Sequence, residues 1–191
     1  MTSTRSPSAR TRILSAAAEL FYADGIAATG IDTITAAAGV AKMSLYNNFE
    51  SKNDLVEVYL GERHEEWLRL HARRRAEATT SDDRVLAVFD AYLDHARMAY
   101  PHGFRGCGLL NAAAELPADA PGRVAVRTHK EQVESIIIEE LSCAHPVSTA
   151  RTVGEQLSFI LEGAMSRAGL EGKPDRVLAA RAIAENILAT L

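Results

Sequence analysis

The sequence predicts an all-α fold of about nine helices: a compact three-helix unit at the N-terminus, then a larger helical unit. Three observations lead there. Apolar residues recur at i, i+3, i+4 and i+7 along most of the chain. No segment shows the strict alternation of a half-buried strand. Glycine, proline and short polar clusters interrupt the helical pattern at intervals that suit helix ends.

Ile13, Ala16, Ala17, Leu20 and Phe21 line one face of the first helix, and Asp24-Gly25 stops it. A short second helix turns Ile31, Ile34 and Ala38 inward. Thr29 or Gly30 can cap it, and Asp32 suits its positive end. Gly39 breaks it. A third helix starts near Ala41 and sets Leu45 and Phe49 on one face. Ser51, with Asp54 at the capping-box position, opens a long helix that buries Leu55, Val58 and Tyr59 and runs to about Ala78. Thr79–Asp83 supplies a loop and a cap. Val85, Val88, Phe89, Tyr92, Leu93, Ala96 and Tyr100 form the next stripe, ended by Pro101-His102-Gly103. A short helix over Gly108–Leu116 follows, then a loop marked by Pro117 and Pro121-Gly122. Helices over Arg123–Ala144, Thr149–Ala168 and Asp175–Leu191 complete the chain.

The totals narrow the functional class. At 191 residues, 47 % of them hydrophobic, the chain can bury a sizeable core. Only Met1–Ser8 reads as disordered in composition. No apolar run reaches the ~18 residues of a membrane span. No apolar segment follows Arg5, Arg10 and Arg12, so a secretory signal is not expected and the cytoplasm is. Cys107 and Cys143 are too isolated for a zinc site and are expected as free thiols. The six histidines form no i, i+4 helical pair, so no metal and no cofactor is expected. Enzyme motifs are missing: no nucleophile elbow, no phosphate-binding glycine loop, no metal motif. The net charge of −4 is unevenly spread. Residues 1–53 carry Arg5, Arg10, Arg12, Lys42 and Lys52 against Glu19, Asp24, Asp32 and Glu50, so the acidic excess lies downstream. That balance permits a DNA-binding end without requiring one.

Two short helices joined by Ala38-Gly39-Val40 have the spacing of a helix-turn-helix, whose steep crossing needs glycine and small neighbours in the turn. Ile34, Val40 and Leu45 lock the pair, leaving Lys42, Met43, Ser44, Tyr46, Asn47 and Asn48 outward on the second helix. In such a motif the N-terminal side chains of that helix enter the major groove.

The string Ile31-Asp-Thr-Ile-Thr-Ala-Ala-Ala-Gly-Val-Ala-Lys-Met-Ser-Leu-Tyr-Asn-Asn-Phe49, with Ser51-Lys52-x-x-Leu55 after it, resembles the DNA-binding segment of the tetracycline-repressor (TetR) family. The resemblance runs from about Arg12 to Leu60. It implies a DNA-binding domain over residues 1–53 and a ligand-binding and dimerisation domain over residues 54–191. It also implies a homodimer on a near-palindromic operator, commonly a repressor released by a small molecule. Carried onto this sequence, Lys42, Met43 and Ser44 would meet base edges or adjoining phosphates, and Tyr46 a phosphate. Thr29 and Lys52 would lie at helix N-termini that attract phosphate. Asn48 stands where the family often has histidine.

For the sensor half, candidate cavity residues are Phe89, Tyr92, Leu93, Phe104, Cys107, Leu110, Asn111, His129, Phe159 and Glu162. For each of them core packing is the competing role, and the one such residue types more often fill. Cys107 sits in a Gly-Cys-x-x-x-Asn word similar to one in family members that sense electrophiles, so a sensor thiol and a buried small residue are both open. Leu157, Leu161, Ala164 and Ala168, with Ala180, Ile183, Ala184 and Ile187, suit a four-helix dimer face or an internal core face.

Overall fold

A computed structural model describes residues 7–98, 100 and 102–191. Arg5, most of the Met1–Ser8 segment and the helix stop at Pro101 lie outside the described residues.

Nine helices and no strand occur among the described residues. Helix α1 (Ala9–Asp24) begins where Ser8 Oγ accepts the Thr11 N–H at 3.1 Å. It ends at Gly25, whose φ of 93° a side chain would disfavour. Helix α2 (Ile31–Ala38) is followed by Gly39 in the left-handed conformation, and the Val40 N–H returns to Thr35 O at 3.0 Å. Helix α3 (Lys42–Tyr46) is a little over one turn. Helix α4 (Lys52–Glu77) starts at Ser51, whose hydroxyl accepts the Asp54 N–H while Asp54 accepts the Glu50 N–H.

Helix α5 (Ser81–Ala96) opens with a full capping box between Thr80 and Asp83. Helix α6 (Gly108–Glu115) is short. Helix α7 (Pro121–Ser142) begins at Pro121 rather than after it, because a proline at the first helical position gives up no hydrogen bond. Helices α8 (Val147–Glu171) and α9 (Asp175–Leu188) follow. Tyr100 falls beyond α5, not on its stripe, yet its ring stacks on Tyr22 with centroids 4.4 Å apart.

Ile13, Ala17, Ile34, Leu45 and Phe49 make the core of the N-terminal three-helix unit, and Leu55 carries it into α4. The larger unit packs α4, α5, α7, α8 and α9 around Val85, Phe89, Tyr92, Ile137, Leu141 and Leu161. In the first turns of α4, Leu55, Val56, Tyr59 and Leu60 are buried, with Val58 only half-buried. Glu140, buried on α7, ties three helices: Oε1 accepts Arg75 Nε at 2.6 Å and Oε2 accepts Arg84 Nε at 2.5 Å. Burial would raise this carboxyl's pKa, but the two guanidiniums outweigh it and hold it below the usual carboxylate range.

Leu157, Leu161, Ala168, Ala180 and Ala184 are sealed within this core, so the internal reading holds for them. An apolar stripe cannot say by itself which neighbour it meets. The outer faces of α8 and α9 instead expose Phe159, Leu170 and Ile183.

Candidate nucleic-acid interface and ligand cavity

The helix-turn-helix is held from both sides. From inside, Leu45 and Ile34 are fully buried and anchor α3 against α2. From outside, Arg12 Nη1 donates to Ala38 O and Gly39 O at 3.3 and 3.2 Å, capping the carbonyl end of α2. Helix α3 then presents Lys42, Met43, Tyr46 and Asn47 to solvent, with Met43 70 % exposed. Ser44 is half-buried.

Three of the candidate DNA-binding residues are engaged inside the protein. Thr29 is buried, and its hydroxyl donates to Gly25 O at 2.6 Å, so the cap of α2 is Gly30 and the Thr29 side chain is committed to the α1–α2 loop. Asn48 donates its amide to Ser44 O at 2.7 Å. Lys52 Nζ reaches Ile26 O at 2.5 Å and straps α4 to the α1–α2 loop. Lys42 is paired too, with Asp32 Oδ1 at 2.8 Å, and this hydrogen bond raises its pKa above the ordinary lysine value. Arg10 lies over the Phe49 ring at 5.0 Å.

The same α1–α2 loop is gripped by the larger unit. Glu115, at the end of α6, accepts the Ile26 and Ala27 N–H groups at 3.1 and 2.7 Å. Arg105 donates to Tyr22 O at 2.9 Å and also to Ala23 O. The Tyr22 hydroxyl accepts the Arg105 N–H and donates to Gly106 O. Gly106 and Gly169 approach so closely that a Cβ on Gly169 would lie 2.8 Å from the Gly106 backbone. Segment 104–108 is thus wedged between α1 and α8.

Behind that wedge lies a cavity of about 30 Å³, lined by Arg63, Glu66, Trp67, Tyr92, His95, Cys107, Gly108, Leu109 and His129. Tyr92, Cys107 and His129 are the sequence candidates found there. Phe89, Leu93 and Phe104 are buried in the core beside it and do not line it. Leu110 and Asn111 lie on the other side of α6, where the Asn111 amide donates to Arg105 O at 2.9 Å. Phe159, 65 % exposed, belongs to the outer face of α8. Glu162 is paired with Lys130 at 2.7 Å. His129 shares a short contact with His64, Nδ1 to Nδ1 at 2.9 Å. Burial, with the neighbouring Lys130 charge, lowers the His129 pKa to about 3, and burial lowers that of His95 to about 4. The Cys107 thiol is free and 8 % exposed, bordering both this cavity and a groove against α8.

Sequence reasoning missed Arg63, Glu66, Trp67 and His95. Arg63 and Trp67 are one turn apart on α4, and Trp67 is the chain's single tryptophan, a signal that was available. No group of three or more metal-ligating side chains occurs among the described residues, and no helix there is long and apolar enough to cross a membrane.

Residues 13–59 match the family model described as bacterial regulatory proteins, tetR family. A TetR-family transcriptional regulator from Streptomyces coelicolor is 32 % identical, over 95 % of this chain and 95 % of that one, with a TM-score of 0.85. The chain belongs to the TetR family. A TetR transcriptional regulator from Chloroflexus aurantiacus is similar at 25 % identity, over 95 % of this chain and 94 % of that one, with a TM-score of 0.81. The HTH-type transcriptional activator FasR of Mycolicibacterium smegmatis is 38 % identical over 99 residues, 48 % of this chain and 43 % of that protein. The chain therefore spans less than half the length of that curated relative. TetR membership makes this chain a DNA-binding transcriptional regulator, not an enzyme, with an N-terminal helix-turn-helix and a C-terminal helical domain.

Proposed function

We propose that this TetR-family regulator acts in the cytoplasm as a homodimeric repressor that binds a near-palindromic operator and is released by a small molecule. Residues 1–53 are the DNA-binding domain, and residues 54–191 bind ligand and dimerise. The observation that carries the DNA reading is the face of α3. Lys42, Met43, Tyr46 and Asn47 are open to solvent on a helix fixed from beneath by fully buried Leu45. Lys42, Met43 and Ser44 read base edges, and Tyr46 and Asn47 hold phosphate. Thr29, Asn48 and Lys52 act through the backbone they brace.

Dimerisation is supported by Phe159, Leu170 and Ile183, large apolar side chains exposed on the last two helices. Ligand release is supported by the wedge, because a molecule that enlarges the cavity presses on a segment hydrogen-bonded to α1.

The test is gel shift of the full chain on DNA flanking its own coding region against random DNA. A preference for the flanking DNA, with affinity falling by a log–log salt slope of about −0.9 per phosphate neutralised, is the expected result. Equal, weak binding to both DNAs rejects the operator reading. A second reading, activation, is favoured by the name of the 38 % identical relative. It requires DNA binding or transcription to rise with ligand. Electrophile sensing at Cys107 has less support, since the thiol is buried.

A further inference from the structure

Resting on the ligand-responsive reading above, we propose that the cavity under α4 takes an uncharged, flat, single-ring carbonyl compound, whose oxygen accepts hydrogen bonds from Trp67 and Arg63. Trp67 is 5 % exposed, and its indole Nε1 has no acceptor among the described residues. Arg63 Nε, one helical turn earlier and lining the same cavity, is also buried without a partner. A buried N–H without an acceptor is costly, and native structures leave few of them. Two belong here to residues one turn apart on α4 that line the same cavity. A carbonyl oxygen has two lone pairs and can satisfy both.

The charges around the cavity decide the sign of the ligand. Arg63 is paired with Glu66 at 3.0 Å, and Lys130 with Glu162 at 2.7 Å while also donating to the Tyr92 hydroxyl at 3.2 Å. His95 and His129 are neutral near pH 7. An anion finds no uncommitted cation and meets the Glu66 carboxylate. A cation meets Arg63 and Lys130 and gains no acceptor from the two N–H groups. An uncharged acceptor fits both constraints.

The walls set the shape. Trp67 packs against Tyr92 at 5.6 Å and edge-on to His129 at 5.4 Å between centroids, so aromatic faces and edges bound the space. A volume of about 30 Å³ holds little more than a water. A ring must therefore displace part of the wall. Trp67, Tyr92, Leu109 and His129 are buried on every side, whereas the Arg63 and Glu66 side chains are 26 % and 20 % exposed. Arg63 also borders the groove of about 420 Å³ between α1 and α4. Its outward shift joins cavity to groove and admits the ligand.

Because Trp67 is the single tryptophan, its emission reports on this wall alone. The full chain is titrated with acetophenone, ethylbenzene and benzoate, following tryptophan emission and, independently, calorimetric heat. Saturable acetophenone binding is expected, with ethylbenzene and benzoate each about tenfold weaker or more. Trp67→Phe removes one N–H, and Arg63→Lys removes Nε while keeping the charge. Each should weaken acetophenone several-fold by calorimetry and leave ethylbenzene unchanged. Arg63→Lys, a partly exposed position, covers the case in which Trp67→Phe fails to fold. Equal affinity for ethylbenzene, tighter binding of benzoate, or no saturable binding by any probe overturns the proposal. Gel shift in parallel separates the two readings. Acetophenone that binds with this preference yet leaves DNA bound supports the ligand class and counts against release. Release by a compound without an acceptor supports ligand control and overturns the class.

Discussion

Glu115→Ala removes the carboxylate by which α6 grips the α1–α2 loop. The wild-type side chain accepts the Ile26 N–H at 3.1 Å and the Ala27 N–H at 2.7 Å, one partly buried and one exposed. A hydrogen bond to a charged group contributes about 1.5–3 kcal/mol, and water takes over part of the exposed one. The sum is roughly 2–3 kcal/mol. For a chain of this size that lowers Tm by about 4–12 °C. Lys52 still holds the Ile26 carbonyl, so the loop loses its N–H partners without losing the strap from α4. Glu115→Gln keeps one acceptor oxygen and should recover about half of the loss. The assay is thermal or urea unfolding of the three proteins, with operator gel shift at a temperature where all remain folded. Operator affinity should fall in the same order, since α2 follows this loop directly. A stability change below ~0.5 kcal/mol, the range of ordinary surface substitutions, would refute the assigned grip.

Leu45→Ala, at a fully buried anchor of α3, should cost about 2–5 kcal/mol and abolish specific DNA binding, as read by urea midpoint and gel shift. Phe159→Glu should convert a dimer to monomer in sedimentation while leaving far-UV helicity intact; an unchanged sedimentation coefficient counts against the α8–α9 interface. Stability should decline as pH falls below about 6.5. The unfolded histidines then take up protons, while His95 and His129, with folded pKa values lowered to about 4 and about 3, remain neutral. The unfolded state binds more protons across that window, at up to ~1.4 kcal/mol per pH unit for each group. A urea midpoint that is flat from pH 7 to pH 5 would exclude this.

The local parts of this protein were legible in its sequence. Ile34, Leu45 and Phe49 are buried where their spacing placed them, and Gly39 turns left-handed as a helix-turn-helix requires. Contacts between distant segments were not legible. Thr29, Asn48 and Lys52 all read as candidates for DNA contact, but carbonyls presented by the folded backbone already accept from them. Asp32 and Lys42 are ten positions apart and meet only because the turn folds α3 back toward the start of α2. The cavity was hardest to read. Helix α4 passes from α1 to α5 and α7, so its buried face shifts along its length, and Trp67 and Arg63 fall outside the simple stripe that begins at Leu55.

The ion pair between Lys42 and Asp32 has a consequence for how the protein binds random DNA. The four described cations before α4 or at its first residue all have partners: Arg10 on a ring, Arg12 and Lys52 on carbonyls, Lys42 on a carboxylate. A direct phosphate contact must share or displace these partners, although only Asp32 offsets its cation's charge. Random sequence offers only phosphates in exchange, whereas a matching site adds base contacts. Internal pairing therefore lowers what phosphate contacts alone can contribute, by the modest amount an exposed pair such as Lys42–Asp32 is worth. Under the proposed operator reading, binding to random DNA weaker than four unpartnered cations would give is the expected result.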